Sequence, residues 1–156
     1  MVECEIAAVA PIGPGYRFSR RHTFDEEQVR TFARALGDEQ ALQDDVETAG
    51  GPGLGGLAAS QTHAASLLIG LTASHFAAKG NVQGINFSMD LLRPVLAVET
   101  VFIEWNVTSI AARANGGCIL ELQGAITGAE GRTRVLAHGT VLFTPHRWRV
   151  KAEHLG

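Results

Sequence analysis

Cysteine is scarce in this chain: Cys4 and Cys118 are its two cysteines, far apart and without a CxxC pair. That usage supplies no metal framework and fits a reducing compartment. A basic excess is also missing. The 156 residues carry 13 Lys and Arg against 16 Asp and Glu, a net charge of −3, whereas a nucleic-acid binder usually presents a basic face. No apolar run approaches the roughly 18 residues of a membrane span. The least polar stretch, 53–80, is interrupted by Ser60, Gln61, His63 and Ser66. Glu3 and Glu5 stand where a secretory signal carries positive charge. The six histidines are scattered, with no HExxH, so no metal site is expected. No internal repeat or low-complexity segment stands out. These absences lead to the expectation of a cytoplasmic protein that binds neither nucleic acid nor a membrane.

What is present is enough apolar side chain for one core: 46% hydrophobic and 19% charged residues. The chain divides into an N-terminal arm, 1–15, closed by Pro11, Gly13, Pro14 and Gly15, a domain, 16–145, and a C-terminal tail, 146–156. Tyr16–His22 reads as an Arg-rich strand. Thr23-Phe24-Asp25-Glu26 then has the form of a capping box. After it, Val29, Phe32, Ala33 and Leu36 make one apolar helical stripe, and Gly37 stands at the expected left-handed cap. A second helix is expected from about Leu57 to Lys79, apolar around most of its circumference and therefore buried. From there the period changes to two. Val82–Leu91 and the runs through Val101–Val107, Cys118–Leu122 and Val135–Phe143 alternate apolar with polar residues, separated by the turn signals Asn115-Gly116-Gly117 and Gly128–Gly131. The pattern predicts an α+β fold: four antiparallel strands after the helices, curved around one long buried helix.

Three short motifs lead nowhere firm. Gly51-Pro52-Gly53-Leu54-Gly55-Gly56 contains GxGxxG, but no strand precedes it and no βα units follow. Ser60 and His63 share a helical face without a GxSxG elbow. Arg17, Arg20 and Arg21, taken with Arg93, read either as a solvated strand face or as a patch for an anionic handle such as coenzyme A or a phosphopantetheine carrier.

The runs FDEEQVRTFARALGDEQALQDD, GGLAASQTHAAS, LLRPV and LAHGTVLF, in this order, resemble the MaoC-like family of acyl-thioester hydratases and dehydratases. The resemblance covers about Tyr16–Phe143. It implies a single hotdog fold, a bent antiparallel sheet wrapped around a long central helix, in agreement with the layout reached from periodicity. It also implies reversible hydration of a 2-enoyl thioester. Adding water at C3 and a proton at C2 needs acid–base groups, and the thioester oxygen, which gains enolate charge, needs donors at a helix N-terminus.

Active members of that family carry Gly-Asp-x-Asn-Pro-x-His. Here Asp38 matches the aspartate, Gln40-Ala41 replaces Asn-Pro, and Gln43 replaces the histidine. Gln61, after Ser60, stands where many members have glycine. Glutamine orients a water through its amide but exchanges no proton near neutral pH. The resemblance thus implies Asp38 as acid and base, Gln43 as a water-positioning amide, and substrate contacts at Ser60, Gln61, His63 and Arg93. For His63, a stand-in for the missing histidine and a satisfied core residue are both open. No metal or organic cofactor is implied. The implied partners are an acyl-CoA or acyl-carrier-protein thioester and a second hotdog protomer, in a homodimer or higher assembly or in a heteromer with a catalytic protomer. The alternatives to a hydratase are a non-catalytic acyl-thioester-binding subunit of a heteromeric hydratase and a hotdog thioesterase in which Asp38, Asp44 or Asp45 activates water.

Overall fold

The computed structural model describes residues 12–38, 57–114 and 116–146. Seven elements follow in the order β1 (Arg17–Thr23), α1 (Glu26–Leu36), α2 (Gln61–Ala77), β2 (Gly80–Leu91), β3 (Thr100–Ala112), β4 (Cys118–Thr127) and β5 (Thr133–Pro145). All strand pairs are antiparallel in one sheet of order β1-β3-β4-β5-β2. The α+β expectation holds, but the strands after α2 are not simply successive. β2 pairs with β5, across the sheet from β3.

Period-two patterning decides which face is buried. Val101, Ile103, Trp105 and Val107 of β3, Cys118, Leu120 and Leu122 of β4, and Val135, Ala137, Val141 and Phe143 of β5 all lie in one core. Trp105 is fully buried, and its indole N–H donates to the Leu68 carbonyl at 2.8 Å, which ties the middle of the sheet to α2. Its cross-strand neighbour is Gly124. A Cβ there would lie 2.5 Å from the indole, so the ring needs that glycine in order to lie across β4.

Three sequence expectations shift. Thr23 is not the cap of α1. Its hydroxyl is hydrogen-bonded to that of Thr100 at 2.7 Å, and the Asp25 carboxylate accepts from the Glu27 and Gln28 amides instead. Helix α2 spans 17 residues, not 57–79. Residues 57–59 are extended and pair with the loop after β2: Ala59 N–H donates to Val95 O (2.8 Å) and Ala97 N–H to Leu57 O (2.7 Å). Nor is α2 buried all round. Leu68, Leu71 and Phe76 face the core, while Ile69 is 40% exposed and Gly70, Ala73 and Ala77 are exposed with it. The described end of the N-terminal arm is well packed, with Ile12 fully buried and Gly15 N–H donating to Val107 O.

Candidate active site

A cavity of about 400 Å³ opens at the N-terminus of α2, a volume within the usual range of small-ligand sites. Three segments build it. The first is the end of α1. Gly37 takes φ 70°, the left-handed conformation that a helix cap favours, and Asp38 N–H turns back to Ala33 O at 2.9 Å. This termination sets the half-buried Asp38 against the cavity.

The second segment is the start of α2. Ser60 is its N-cap and is 3% exposed; its hydroxyl accepts from the His63 amide at 3.1 Å. In any helix the first amides lack intrahelical acceptors. Here they belong to Gln61 and Thr62, both of which line the cavity, and Gln61 is exposed. The helix end also contributes partial positive charge.

The third segment is the loop 92–99. Leu92, Arg93, Pro94 and Val95 line the cavity. The Arg134 carbonyl accepts from the Leu92 and Arg93 amides (2.9 and 3.0 Å), and the Arg93 guanidinium donates to Thr133 O at 2.8 Å. A largely buried ion pair, Arg134–Glu99 at 2.7 Å, holds the far end of the loop, where Glu99 also accepts from the Leu96 amide at 3.0 Å. Because residues 95–97 pair with 57–59, the same ion pair supports the segment that delivers Ser60 to the site. Neither Glu99 nor Arg134 stood out in the sequence. Their separation of 35 residues, across a strand pairing, left no local signal.

Asp38, Ser60, Gln61 and Arg93 all line this one cavity. His63 does not join them. Its ring turns to the other side of α2, stacked on Phe32 (centroids 4.3 Å apart, planes 8° apart), where burial first, and then the neighbouring His22, hold its pKa below the usual imidazole range. Gln43, Asp44 and Asp45 lie outside the described residues. The arginine cluster also divides: Arg17, Arg20 and Arg21 sit on β1 at one edge of the sheet, while Arg93 follows β2 at the other. Among the described residues, no group of three His, Cys, Asp or Glu side chains could hold a metal ion, and no helix is long and apolar enough to cross a membrane.

No family model matches the chain, and no curated protein matches it. Solved structures do. The chain is similar to the (R)-hydratase of A. caviae involved in PHA biosynthesis, with a TM-score of 0.72 and 23% identity over 88% of this chain and 100% of that one. It is similar to the MaoC-like dehydratase of Rhodospirillum rubrum, with a TM-score of 0.71 and 21% identity over 86% and 94% of the two chains. It also matches the HadBC 3R-hydroxyacyl-ACP dehydratase complex of Mycobacterium tuberculosis, with a TM-score of 0.66 and 22% identity over 83% and 96%. The fold is thus that of the MaoC-like dehydratases and (R)-hydratases, the hotdog fold.

Proposed function

We propose that the chain catalyses the reversible hydration of a 2-enoyl thioester in the Asp38 cavity. The observation that carries this reading is the convergence of a carboxylate, a helix N-terminus and a guanidinium on one site, on a fold shared with hydratases and dehydratases. Asp38 takes a proton from water as the water oxygen bonds to C3, and the carboxyl then returns a proton to C2. Charge moves onto the thioester oxygen in between, where the amides of Gln61 and Thr62 stabilise it. Arg93 pairs with a phosphate of coenzyme A or of a phosphopantetheine carrier. Gln43 positions the water through its amide. None of these steps calls for a metal or an organic cofactor. The setting we propose is cytoplasmic, with residues 16–145 as the catalytic domain.

A second hotdog protomer belongs to this reading. α2 is apolar around its circumference, yet Ile69, Gly70, Ala73 and Ala77 form an outward stripe at helical spacing. β2 beside it exposes Ile85 and Leu91, and Leu92 just after it is exposed as well. Covering that surface removes apolar area from water and closes a sheet edge. Another copy of this chain fits by symmetry, and the HadBC neighbour, itself a complex, keeps a heteromer in view.

The test is loss of enoyl absorbance from a short 2-enoyl-CoA. Asp38→Asn should lower turnover about 10²–10⁴-fold, the usual cost of a positioned acid–base group. Gln43→His should raise it at least about tenfold by adding a group that titrates near neutrality. Wild-type turnover in Asp38→Asn refutes the site. Release of free thiol in place of hydration refutes the reaction.

A further inference from the structure

His63 and His22 lie on a second cleft, of about 640 Å³, between α1 and α2, together with Phe32, Ala35 and Leu67. The rings form a ladder. His63 stacks on Phe32 and meets the edge of Phe24 at 5.1 Å, and Phe24 meets the edge of His22 at 4.9 Å. Within this ladder Nδ1 of His63 and Nε2 of His22 are buried and make no hydrogen bond among the described residues. His63 as a whole is only 7% exposed.

Packing does not explain these imidazoles. A phenylalanine at either position would keep the ring contacts without an orphaned polar atom, which costs about 1–3 kcal/mol when left unpaired. Burial, more than any neighbour, holds both rings below the usual imidazole range, so they are neutral at pH 7. Each free nitrogen of a neutral imidazole is a donor or an acceptor according to its tautomer, and a hydroxyl satisfies either. A carboxylate would be opposed by Asp25 and Glu27, which also line the cleft. An ammonium would have to shed water against Phe32, Ala35 and Leu67.

We propose that this cleft binds an apolar group carrying a hydroxyl, its body against Phe32, Ala35 and Leu67, and that a small turn of the His63 and His22 rings toward the cleft brings their unpaired nitrogens to its oxygen. The hydroxyl belongs either to a free small alcohol or phenol, or to the far end of an acyl thioester held in the Asp38 cavity. α1 lends Ala35 to the cleft and precedes Asp38 in the cavity, and α2 lends His63 to one and Gln61 to the other, so the two spaces flank the same helix pair. Only the second source rests on the hydratase reading.

The experiment titrates phenol and benzene into the full-length chain by calorimetry and by amide shifts in NMR. Phenol should bind at least about tenfold more tightly than benzene, with shifts centred on α1 and the first turns of α2. His63→Phe should erase that preference while keeping the ring stack and the circular-dichroism spectrum, and His22→Phe, a separate variant should the first not fold, should reduce it. Equal affinity for the two probes, binding of neither, or a preference that survives both variants overturns the proposal. A second arm compares hydration of an ω-hydroxyacyl enoyl-CoA with its alkyl counterpart of equal length. A preference for the hydroxylated chain that His63→Phe abolishes identifies the acyl tail as the occupant. Phenol selectivity without that preference identifies a free alcohol. Phenol selectivity with no hydration at all leaves the site standing and removes the hydratase reading.

Discussion

The two edges of the sheet are built in opposite ways. β1 is seven residues long and carries Arg17, Arg20 and Arg21. Arg17 pairs with Glu104 at 3.5 Å, and Arg20 reaches across to the Ser74 hydroxyl of α2 at 2.9 Å. A short, cationic strand is a standard block against edge-to-edge pairing. β2 is twelve residues long, has a single charged residue, Asp90, and is bulged between Gly84 and Asn86, with Ile85 56% exposed at the bulge. Beside it runs the small, apolar outward stripe of α2. The longer edge is thus the less guarded by charge, with Ile85 and Leu91 exposed on it, which fits the proposed pairing through that edge. The candidate site follows this asymmetry, since Leu91, Leu92 and Arg93 at the end of β2 form one of its walls.

The largest effect should come from between the edges, where both depend on the same centre. Trp105→Ala removes a fully buried indole, its hydrogen bond to Leu68 and the filler opposite Gly124. A loss of about 3–5 kcal/mol is expected, enough to unfold much of a domain of this size. Chemical denaturation measures it. A loss under 1 kcal/mol would mean that the core does not turn on this residue.

The comparison itself breaks or holds on a matched pair of surface changes. Ile69→Glu with Ile85→Lys puts charge on the apolar edge and should convert an assembly into monomers by light scattering, with hydration falling in parallel. Arg17→Thr with Arg21→Thr should leave the oligomeric state unchanged. A wild type that is already monomeric at micromolar concentration refutes the interface. If the β1 pair dissociates the assembly instead, the two edges have been assigned the wrong way round.

These outcomes bear on how far the residues alone can take such a reading. Asp38, Ser60, Gln61 and Arg93 could be named from sequence because short runs carry the family resemblance: the Gly-Asp that ends the first helix, the Gly-Gly-x-x-Ala-Ser run with Gln61 after it, and the Arg-Pro-Val run. What escaped was set by register and distant pairing. Thr23 and Asp25 are both good caps, and only the pairing of Thr23 with Thr100 decides between them. Leu57-Ala58-Ala59 is fine helical sequence, but Val95–Ala97 holds it extended. A helix apolar on every side gives the same signal whether its own sheet or a second protomer covers it, so the free flank of α2 could not be foreseen. His63 shares a helical face with Ser60 by spacing, yet its ring stacks on Phe32 of the neighbouring helix.

A smaller effect distinguishes the guarded edge by pH. Tyr16, just before β1, hydrogen-bonds His75 of α2 at 2.8 Å, and Phe18 of β1 stacks on the same imidazole at 4.3 Å. Burial, and secondarily Lys79, lowers the His75 pKa to about 4. Between that value and the unfolded value near 6.5, the unfolded chain binds the extra proton. The contribution is therefore complete above about pH 6.5 and is lost as the pH falls towards 4. His22 and His63 are shifted in the same direction. Melting temperature should drop over this window, and His75→Phe, which keeps a ring on Phe18, should flatten the slope. An unchanged slope would show that His75 titrates alike in the folded and unfolded chains and that burial does not shift it.

The smallest expected change lies in the loop that leaves the apolar edge and walls the site. Val98 has φ 62° and is 72% exposed. A β-branched residue in the left-handed region is a genuine outlier, and that conformation costs an L-residue roughly 1–2 kcal/mol. Packing does not hold it there, because the side chain faces solvent. The backbone does: Val98 N–H donates to Phe24 O at 2.5 Å, and Glu99 O accepts from Phe24 N–H at 3.1 Å, clasping the loop to the residue before the cap of α1. Val98→Gly keeps both bonds and releases the strain, but it also loosens the unfolded chain by roughly 0.5–1 kcal/mol. The net gain should be a few tenths to about 1 kcal/mol, or up to about 2–4 °C in melting temperature. Because Val95 to Ala97 brace the strand leading to Ser60, hydration should stay within about twofold of wild type. A lower melting temperature would mean that glycine's extra freedom outweighs the strain. A large fall in turnover at unchanged stability would mean that the strained turn itself holds the α2 N-terminus in register with Asp38.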